Sequence, residues 1–157
     1  MIEKKVLIAD YDANSLDFLI KIIEPLNVQV VKASDGKEAY EKFKEEKPDL
    51  VILEAMLPKL HGFDLCLKIF QETKGTIPVI IVSGLYRGPH YRNEALFSFK
   101  ASDYFEKPLD KKRFIESVSN LLYEEAEIEE KLPSPDEVIE RLTNMLSSQG
   151  SPLKGKK

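Results

Sequence analysis

The stretch Pro48–Asp64, "PDLVILEAMLPKLHGFD", passes from a run of apolar residues directly into Glu54 and then into a loop marked by proline and glycine. Consecutive apolar residues over this length predict a strand buried on both faces, as in a parallel sheet covered by helices. A carboxylate at the end of such a strand lies at the sheet edge where α/β proteins place their binding sites. The stretch therefore indicates both a class of fold and a candidate site.

Four further segments have the length and branched-chain content of strands, at 5–10, 28–33, 78–84 and 103–108. The segments between them repeat apolar residues at helical spacing, and Asp110 is placed to cap the last helix. The predicted inward positions are Leu16, Leu19, Ile20, Ile23, Leu26, Ala39, Phe43, Phe63, Leu67, Phe70, Phe114, Val118, Leu121 and Leu122. Five such units predict a doubly wound α/β fold around a parallel sheet.

The composition narrows the class of protein. A chain of 157 residues with 43% hydrophobic and 32% charged residues fits one globular domain with a short appendage. The net charge of −4 gives no support to a role in binding nucleic acid or an anionic membrane. No apolar run approaches the roughly 20 residues of a membrane span. The single cysteine, Cys66, is predicted to be a core residue and fits a reducing compartment, most simply the cytoplasm.

The character of the sequence changes after residue 123, so residues 1–123 are predicted to form the domain and 124–157 an extension. The acidic run at 124–130 is predicted to continue the last helix, and "SPDE" has the pattern of a capping box. A short amphipathic helix is expected at about 135–147, followed by a flexible tail or linker. Its apolar side would be covered by the domain or by a second copy, as in a homodimer.

Four predicted strands end in polar side chains, Asp10, Glu54, Ser83 and Lys107. Because the carboxyl ends of parallel strands meet at one edge of the sheet, these groups are expected to converge. Each one alone is ordinary, since strand ends meet solvent. Their joint occurrence, with Pro108 directly after Lys107, is much more specific.

These motifs resemble the receiver domain of two-component response regulators over about residues 4–122. The resemblance is carried by "VLIADYD", "PDLVILEAMLPKLHG", "IPVIIVSG" and "ASDYFEKPLD". It implies a flavodoxin-like, five-stranded parallel sheet in the order 2-1-3-4-5 with helices on both faces, here with a C-terminal helical extension. It also implies a cis peptide bond between Lys107 and Pro108, which X–Pro bonds tolerate at low cost.

In that family an aspartate accepts a phosphoryl group from phosphohistidine, and two acids on the first strand hold Mg²⁺. A lysine and a hydroxyl bind phosphoryl oxygens, and an aromatic residue on the fifth strand turns inward. The resemblance implies that Asp10 is the first acid, Ser83 the hydroxyl, Tyr104 the switch aromatic and Lys107 the lysine.

Two positions depart from the family pattern. Glu54 replaces the aspartate, and its extra methylene moves the carboxylate in a reaction that depends on positioning. Tyr11 replaces the second acid, and a phenol is a poor Mg²⁺ ligand at neutral pH. Asp12 is expected to point elsewhere, because side chains alternate along a strand. The pocket is therefore predicted to bind no metal, or Mg²⁺ only weakly at Asp10, Glu54 and Met56.

The leading hypothesis is a non-enzymatic pseudo-receiver that needs no cofactor and binds a protein partner. Glu54, within reach of Lys107 and Ser83, would imitate part of the phosphorylated state. Two alternatives remain open, a plain stabilising ion pair and an active phosphoacceptor with a rearranged Mg²⁺-dependent site. A nucleotide-binding flavodoxin-like protein is disfavoured, since "DYDANS" contains no glycine to approach phosphates.

The segment between the fourth and fifth strands is the predicted interaction surface. The resemblance makes it about two residues longer than usual and places it on the common partner-binding face. The candidate partner-binding residues are Tyr86, Arg87, Tyr91, Arg92 and Tyr104, of types enriched in interfaces. Packing of Tyr86 and Tyr91 against the adjacent helix is an equal alternative. Leu96, Phe97 and Phe99 are predicted to be core and packing residues.

Overall fold

The apolar runs form a parallel sheet of five strands in the order β2-β1-β3-β4-β5, in a computed structural model that describes residues 3–123. The strands are β1 (Lys5–Ala9), β2 (Gln29–Ala33), β3 (Leu50–Glu54), β4 (Val79–Ser83) and β5 (Asp103–Glu106). The helices are α1 (Ala13–Ile23), α2 (Gly36–Glu46), α3 (Gly62–Thr73), α4 (Pro89–Asn93) and α5 (Lys111–Leu122). A 3₁₀ turn follows α1 at Glu24–Leu26, and a π-helix follows α4 at Glu94–Ser98. The predicted fold and strand order are confirmed.

The core is built on the three central strands. All five residues of β3 and of β4 are buried, as expected for strands covered on both faces. Burying one such aliphatic side chain contributes roughly 1.5–3 kcal/mol, so the three strands supply much of the driving force for folding. The register pairs Leu53 with Ile81 and Ala9 with Leu53, which brings the ends of β1, β3 and β4 to one edge.

The inward face of α3 differs from the prediction. Phe70, predicted to face inward, is 36% exposed, whereas Leu65, Cys66 and Ile69 are fully buried. The cause lies at Gly62, where an added Cβ would stand 2.3 Å from the carbonyl oxygen of Glu54. This close approach turns the helix so that positions 62, 65, 66 and 69 form the buried face. Leu67, also predicted to face inward, is only partly buried.

Two further expectations are met at the helix ends and in the core. The Asp110 carboxylate accepts a hydrogen bond from the Arg113 backbone N–H at 3.3 Å and caps α5. Cys66 is a buried free thiol, and burial raises its pKa to about 12.

The predicted acidic continuation, the helix at 135–147 and the tail lie outside the described residues. Within residues 3–123, no helix is both long enough and apolar enough to cross a membrane.

Candidate functional site

Lys107 stands at the centre of the site, on the loop after β5 and before the cis bond to Pro108. Its Nζ donates to Glu54 Oε1 at 2.7 Å, to Asp10 Oδ2 at 3.1 Å and to Ser15 Oγ at 2.8 Å. An ammonium has three N–H donors, so all of them are used. The structure thus brings together three of the predicted site residues and adds Ser15 to them.

Both carboxylates in the site are buried, Asp10 at 1% exposure and Glu54 at 4%. Their second oxygens accept backbone N–H groups, Asp10 Oδ1 from Asp12 at 3.0 Å and Glu54 Oε2 from Met56 at 3.2 Å. Burial alone would lower the pKa of Lys107, but the hydrogen bond and charge of Glu54 and the charge of Asp10 outweigh it and raise that pKa. Lys107 is therefore held as a cation between two anions.

Tyr11 and Asp12 do not complete a metal site. The Tyr11 side chain is 58% exposed at the mouth of the cavity. The Asp12 carboxylate accepts the Ser15 N–H at 2.9 Å and caps α1, yet Asp12 also lines the same cavity as Asp10 and Glu54. Among residues 3–123 no group of three acidic, histidine or cysteine side chains could hold a metal ion.

The oxygen atoms of this pocket do not form a ligand set that fits Mg²⁺. The ion needs several hard oxygen ligands, and here both carboxylates, on Asp10 and Glu54, already bind the Lys107 ammonium. A divalent cation placed on the same oxygens would meet that positive charge. A cavity of about 290 Å³ does open beside them, lined in part by Met56 and Leu85.

Ser83 and Tyr104 both bind the backbone of Tyr86. The buried Ser83 Oγ accepts the N–H groups of Tyr86 at 2.9 Å and of Leu85 at 3.2 Å. The Tyr104 hydroxyl donates to the Tyr86 carbonyl oxygen, and burial raises the pKa of Tyr104. Tyr104 is only 2% exposed, so its inclusion in the partner-binding face was wrong. The reason is that its ring turns into the core against Phe63.

The remaining four residues of the predicted interaction surface do lie together. Tyr86 stacks on Tyr91 with ring centroids 4.9 Å apart, and both rings pack against the hydrophobic core. The Arg87 guanidinium donates to the Lys107 carbonyl oxygen, and that of Arg92 donates to the Tyr104 carbonyl oxygen at 2.8 Å. The packing alternative thus describes the two tyrosines. We call the surface formed by Tyr86, Arg87, Tyr91 and Arg92 the Tyr86–Arg92 face.

Of the three residues predicted to pack after α4, Phe97 does not. It is 71% exposed, whereas Leu96 and Phe99 pack against the core. The π-helix Glu94–Ser98 explains the difference, because its wider turn changes which side chains face the sheet.

Sequence reasoning missed Ser15 and His61. Ser15 had one weak signal, its place in the first turn of the helix after an acid-bearing strand. His61 caps α3 by accepting the Phe63 N–H on Nδ1 at 3.1 Å, and it stacks on Tyr86 with centroids 5.7 Å apart. Nothing in the linear sequence connects His61 with Tyr86.

A doubly wound sheet that gathers an acid, a hydroxyl and a lysine at its strand ends defines a receiver-type signalling domain. Residues 6–119 match the family described as the response regulator receiver domain. The chain belongs to this family and is a receiver domain of the two-component response regulators.

Relatives and solved structures agree with this assignment. The chain is 33% identical over 105 residues to the alkaline phosphatase synthesis transcriptional regulatory protein PhoP of Bacillus subtilis (strain 168), covering 67% of this chain and 42% of that protein. It is 36% identical over 110 residues to the probable transcriptional regulator ycf27 of Guillardia theta, covering 70% and 42%. It thus spans less than half the length of these curated relatives. The receiver domain of the Francisella response regulator 1452 aligns with TM-score 0.69 and 32% identity, covering 76% of this chain and 97% of that one.

Proposed function

We propose that this receiver domain signals without phosphorylation, as a non-enzymatic module that binds a protein partner. The observation that carries the proposal is the 2.7 Å contact between Glu54 Oε1 and Lys107 Nζ. In a phosphorylated receiver the lysine binds a phosphoryl oxygen, and here the longer glutamate side chain supplies an anionic oxygen directly. Glu54 brings about one negative charge where a phosphate brings nearly two, so the imitation is partial.

The inward position of Tyr104 supports the same proposal. In the family, the aromatic residue on β5 turns inward when the phosphoryl group draws the hydroxyl of β4 towards itself. Here Tyr104 is buried and its hydroxyl donates to the Tyr86 carbonyl oxygen, beside a pocket in which Glu54 already supplies an anionic oxygen to Lys107. The partner-binding conformation would then form without phosphorylation. No free energy from a phosphoryl group would be needed to shift the equilibrium between the two conformations.

The partner is proposed to bind the Tyr86–Arg92 face. Arg87 and Arg92 are about half exposed on their side chains, and arginine is enriched among residues that dominate binding. No cofactor is required in this proposal, and the single thiol of Cys66 fits a reducing compartment such as the cytoplasm.

Incubation with acetyl phosphate and Mg²⁺, followed by mass spectrometry of the intact chain, tests the proposal. Wild type should remain unlabelled, and Glu54→Asp alone should stay almost unlabelled because Tyr11 still provides no acidic ligand. Tyr11→Asp combined with Glu54→Asp should be labelled at least slowly. Glu72→Asp, the same shortening outside the pocket, is the matched control and should behave as wild type.

The active phosphoacceptor is the second candidate function, and one observation favours it. Asp10 and Lys107 are retained in the pocket, beside an open cavity large enough for a phosphoryl group. Ready labelling of wild type at a pocket residue would establish this candidate and refute the proposal above. A double variant that is folded yet inert would show that the two substitutions do not account for the inactive site.

A further inference from the structure

Tyr86 contacts both the candidate site and the face proposed to bind a partner. Its hydroxyl lies 3.0 Å from Met56 Sδ and 3.3 Å from His61 Nε2. Because His61 Nδ1 accepts the Phe63 N–H, the neutral ring carries its hydrogen on Nε2 and donates it to Tyr86. The Tyr86 hydroxyl hydrogen is then directed to the Met56 sulfur. Each hydrogen bond in the series His61–Tyr86–Met56 therefore has a defined donor and a defined acceptor.

Met56 connects this chain of contacts to Glu54. Its backbone N–H donates to Glu54 Oε2 at 3.2 Å, while its sulfur accepts from the Tyr86 hydroxyl. A change in the charge of Glu54 would change the strength of the hydrogen bond that its Oε2 accepts from the Met56 N–H, and the sulfur of the same residue holds the Tyr86 hydroxyl. One residue thus spans the distance between the carboxylate and the tyrosine.

The backbone and ring of Tyr86 make the contacts on the other side. Its N–H donates to Ser83 Oγ at 2.9 Å, and its carbonyl oxygen accepts from the Tyr104 hydroxyl. Its ring stacks on Tyr91 of α4 with an angle of 19° between the planes. Arg87 follows directly in the sequence. Movement of the Tyr86 ring would therefore move the Tyr86–Arg92 face.

We propose that Tyr86 is a positioning residue that couples the charge at Glu54 to the Tyr86–Arg92 face through Met56. The role of that face in partner binding rests on the proposed function, but the coupling itself does not. The side-chain route through Met56 is separate from the Ser83 and Tyr104 contacts, which involve only the backbone of Tyr86. Removing the hydroxyl interrupts the side-chain route and leaves the backbone contacts in place.

A double-mutant cycle on the full 157-residue chain, labelled with 3-fluorotyrosine, tests the coupling. The ¹⁹F signal of Tyr91 is recorded with and without Glu54→Gln, in the wild-type and Tyr86→Phe backgrounds. Glu54→Gln should shift the Tyr91 signal in wild type, and Tyr86→Phe should reduce that shift by about threefold or more. A merely structural Tyr86 would change the Tyr91 signal by the same amount whether or not Glu54 is substituted.

The control and the second variant separate coupling from damage to the fold. Tyr40→Phe removes a comparable hydroxyl contact, with Glu72 at 2.6 Å, and should leave the response of Tyr91 unchanged. If Tyr86→Phe does not fold, Met56→Leu removes the sulfur acceptor and should reduce the response in the same way. An undiminished response in the folded variant, or no response in wild type, overturns the coupling. Phosphorylation of wild type would overturn the proposed function. The coupling would still be decided by the ¹⁹F measurement alone.

Discussion

The central strands and the connection between β4 and β5, residues 84–102, are held in place by different interactions. Strands β3 and β4 are fully buried, and their positions follow from apolar side chains and regular backbone pairing. The connection is held by individual polar contacts, such as the Gly88 N–H to the Glu106 carboxylate and Arg92 to the Tyr104 carbonyl oxygen. A pattern of residue types is enough to locate the first kind of structure. The second kind depends on which particular side chains meet.

The largest expected difference between the two regions is in the free energy of unfolding after truncation of an apolar side chain. Leu53→Ala, at a fully buried strand position, should cost about 2–5 kcal/mol. Phe97→Ala, at the exposed position in the connection, should stay within about 0.5 kcal/mol of wild type. Urea unfolding followed by circular dichroism measures both, since the chain has no tryptophan. A large loss in Phe97→Ala would mean that this side chain is covered in solution.

The next effect concerns the candidate site, which joins Glu54 at the end of a central strand to Lys107 after β5. Lys107→Met leaves two buried carboxylates facing each other, and should cost about 2–3 kcal/mol, below the value for a fully buried pair. The reduction reflects the 26% exposure of the Lys107 side chain. Adding Glu54→Gln should restore part of the loss, because one of the unpaired charges is removed. If the free-energy changes of the two single variants simply add in the double variant, Glu54 and Lys107 do not interact energetically.

Raising the pH should remove part of the stabilisation that the Lys107 ion pairs give to the folded state. Since the folded state raises the pKa of Lys107, the folded protein holds this proton more tightly than the unfolded chain. The stabilisation is complete below the ordinary lysine pKa of about 10.4 and is lost as the pH rises through the folded-state pKa. Urea unfolding of wild type should therefore weaken above that pH more steeply than unfolding of Lys107→Met. Parallel pH profiles would contradict the raised pKa.

A smaller and more local effect is expected when a polar contact within the connection is removed. Arg92→Ala removes the 2.8 Å hydrogen bond to the Tyr104 carbonyl oxygen and should cost about 1 kcal/mol. Hydrogen exchange should become faster mainly in residues 85–93, with β3 and β4 unaffected. Lys68→Ala, which loses an exposed ion pair on α3, is the control and should leave exchange in the connection unchanged. Faster exchange throughout the sheet would contradict the separation of the two regions.

The predicted strands agree with the observed ones to within one or two residues, since a strand buried on both faces must be apolar along its length. The convergence of Asp10, Glu54 and Lys107 was likewise predictable, because parallel strands end at one edge. The face of α3 was not, because it depends on the approach of Gly62 to the backbone of β3. The exposure of Phe97 was not either, because a π-helix has no clear sequence pattern.

The sequence by itself thus determined the α/β sheet and the family, since each depends on residue type and spacing along the chain. Only the tertiary structure decided which atoms these residues contact. Lys107 binds Ser15 as well as the two carboxylates, and Tyr104 lies inside the protein and not on its surface. Contacts between side chains distant in sequence depend on distances of a few ångströms between packed elements, and residue order does not record those distances.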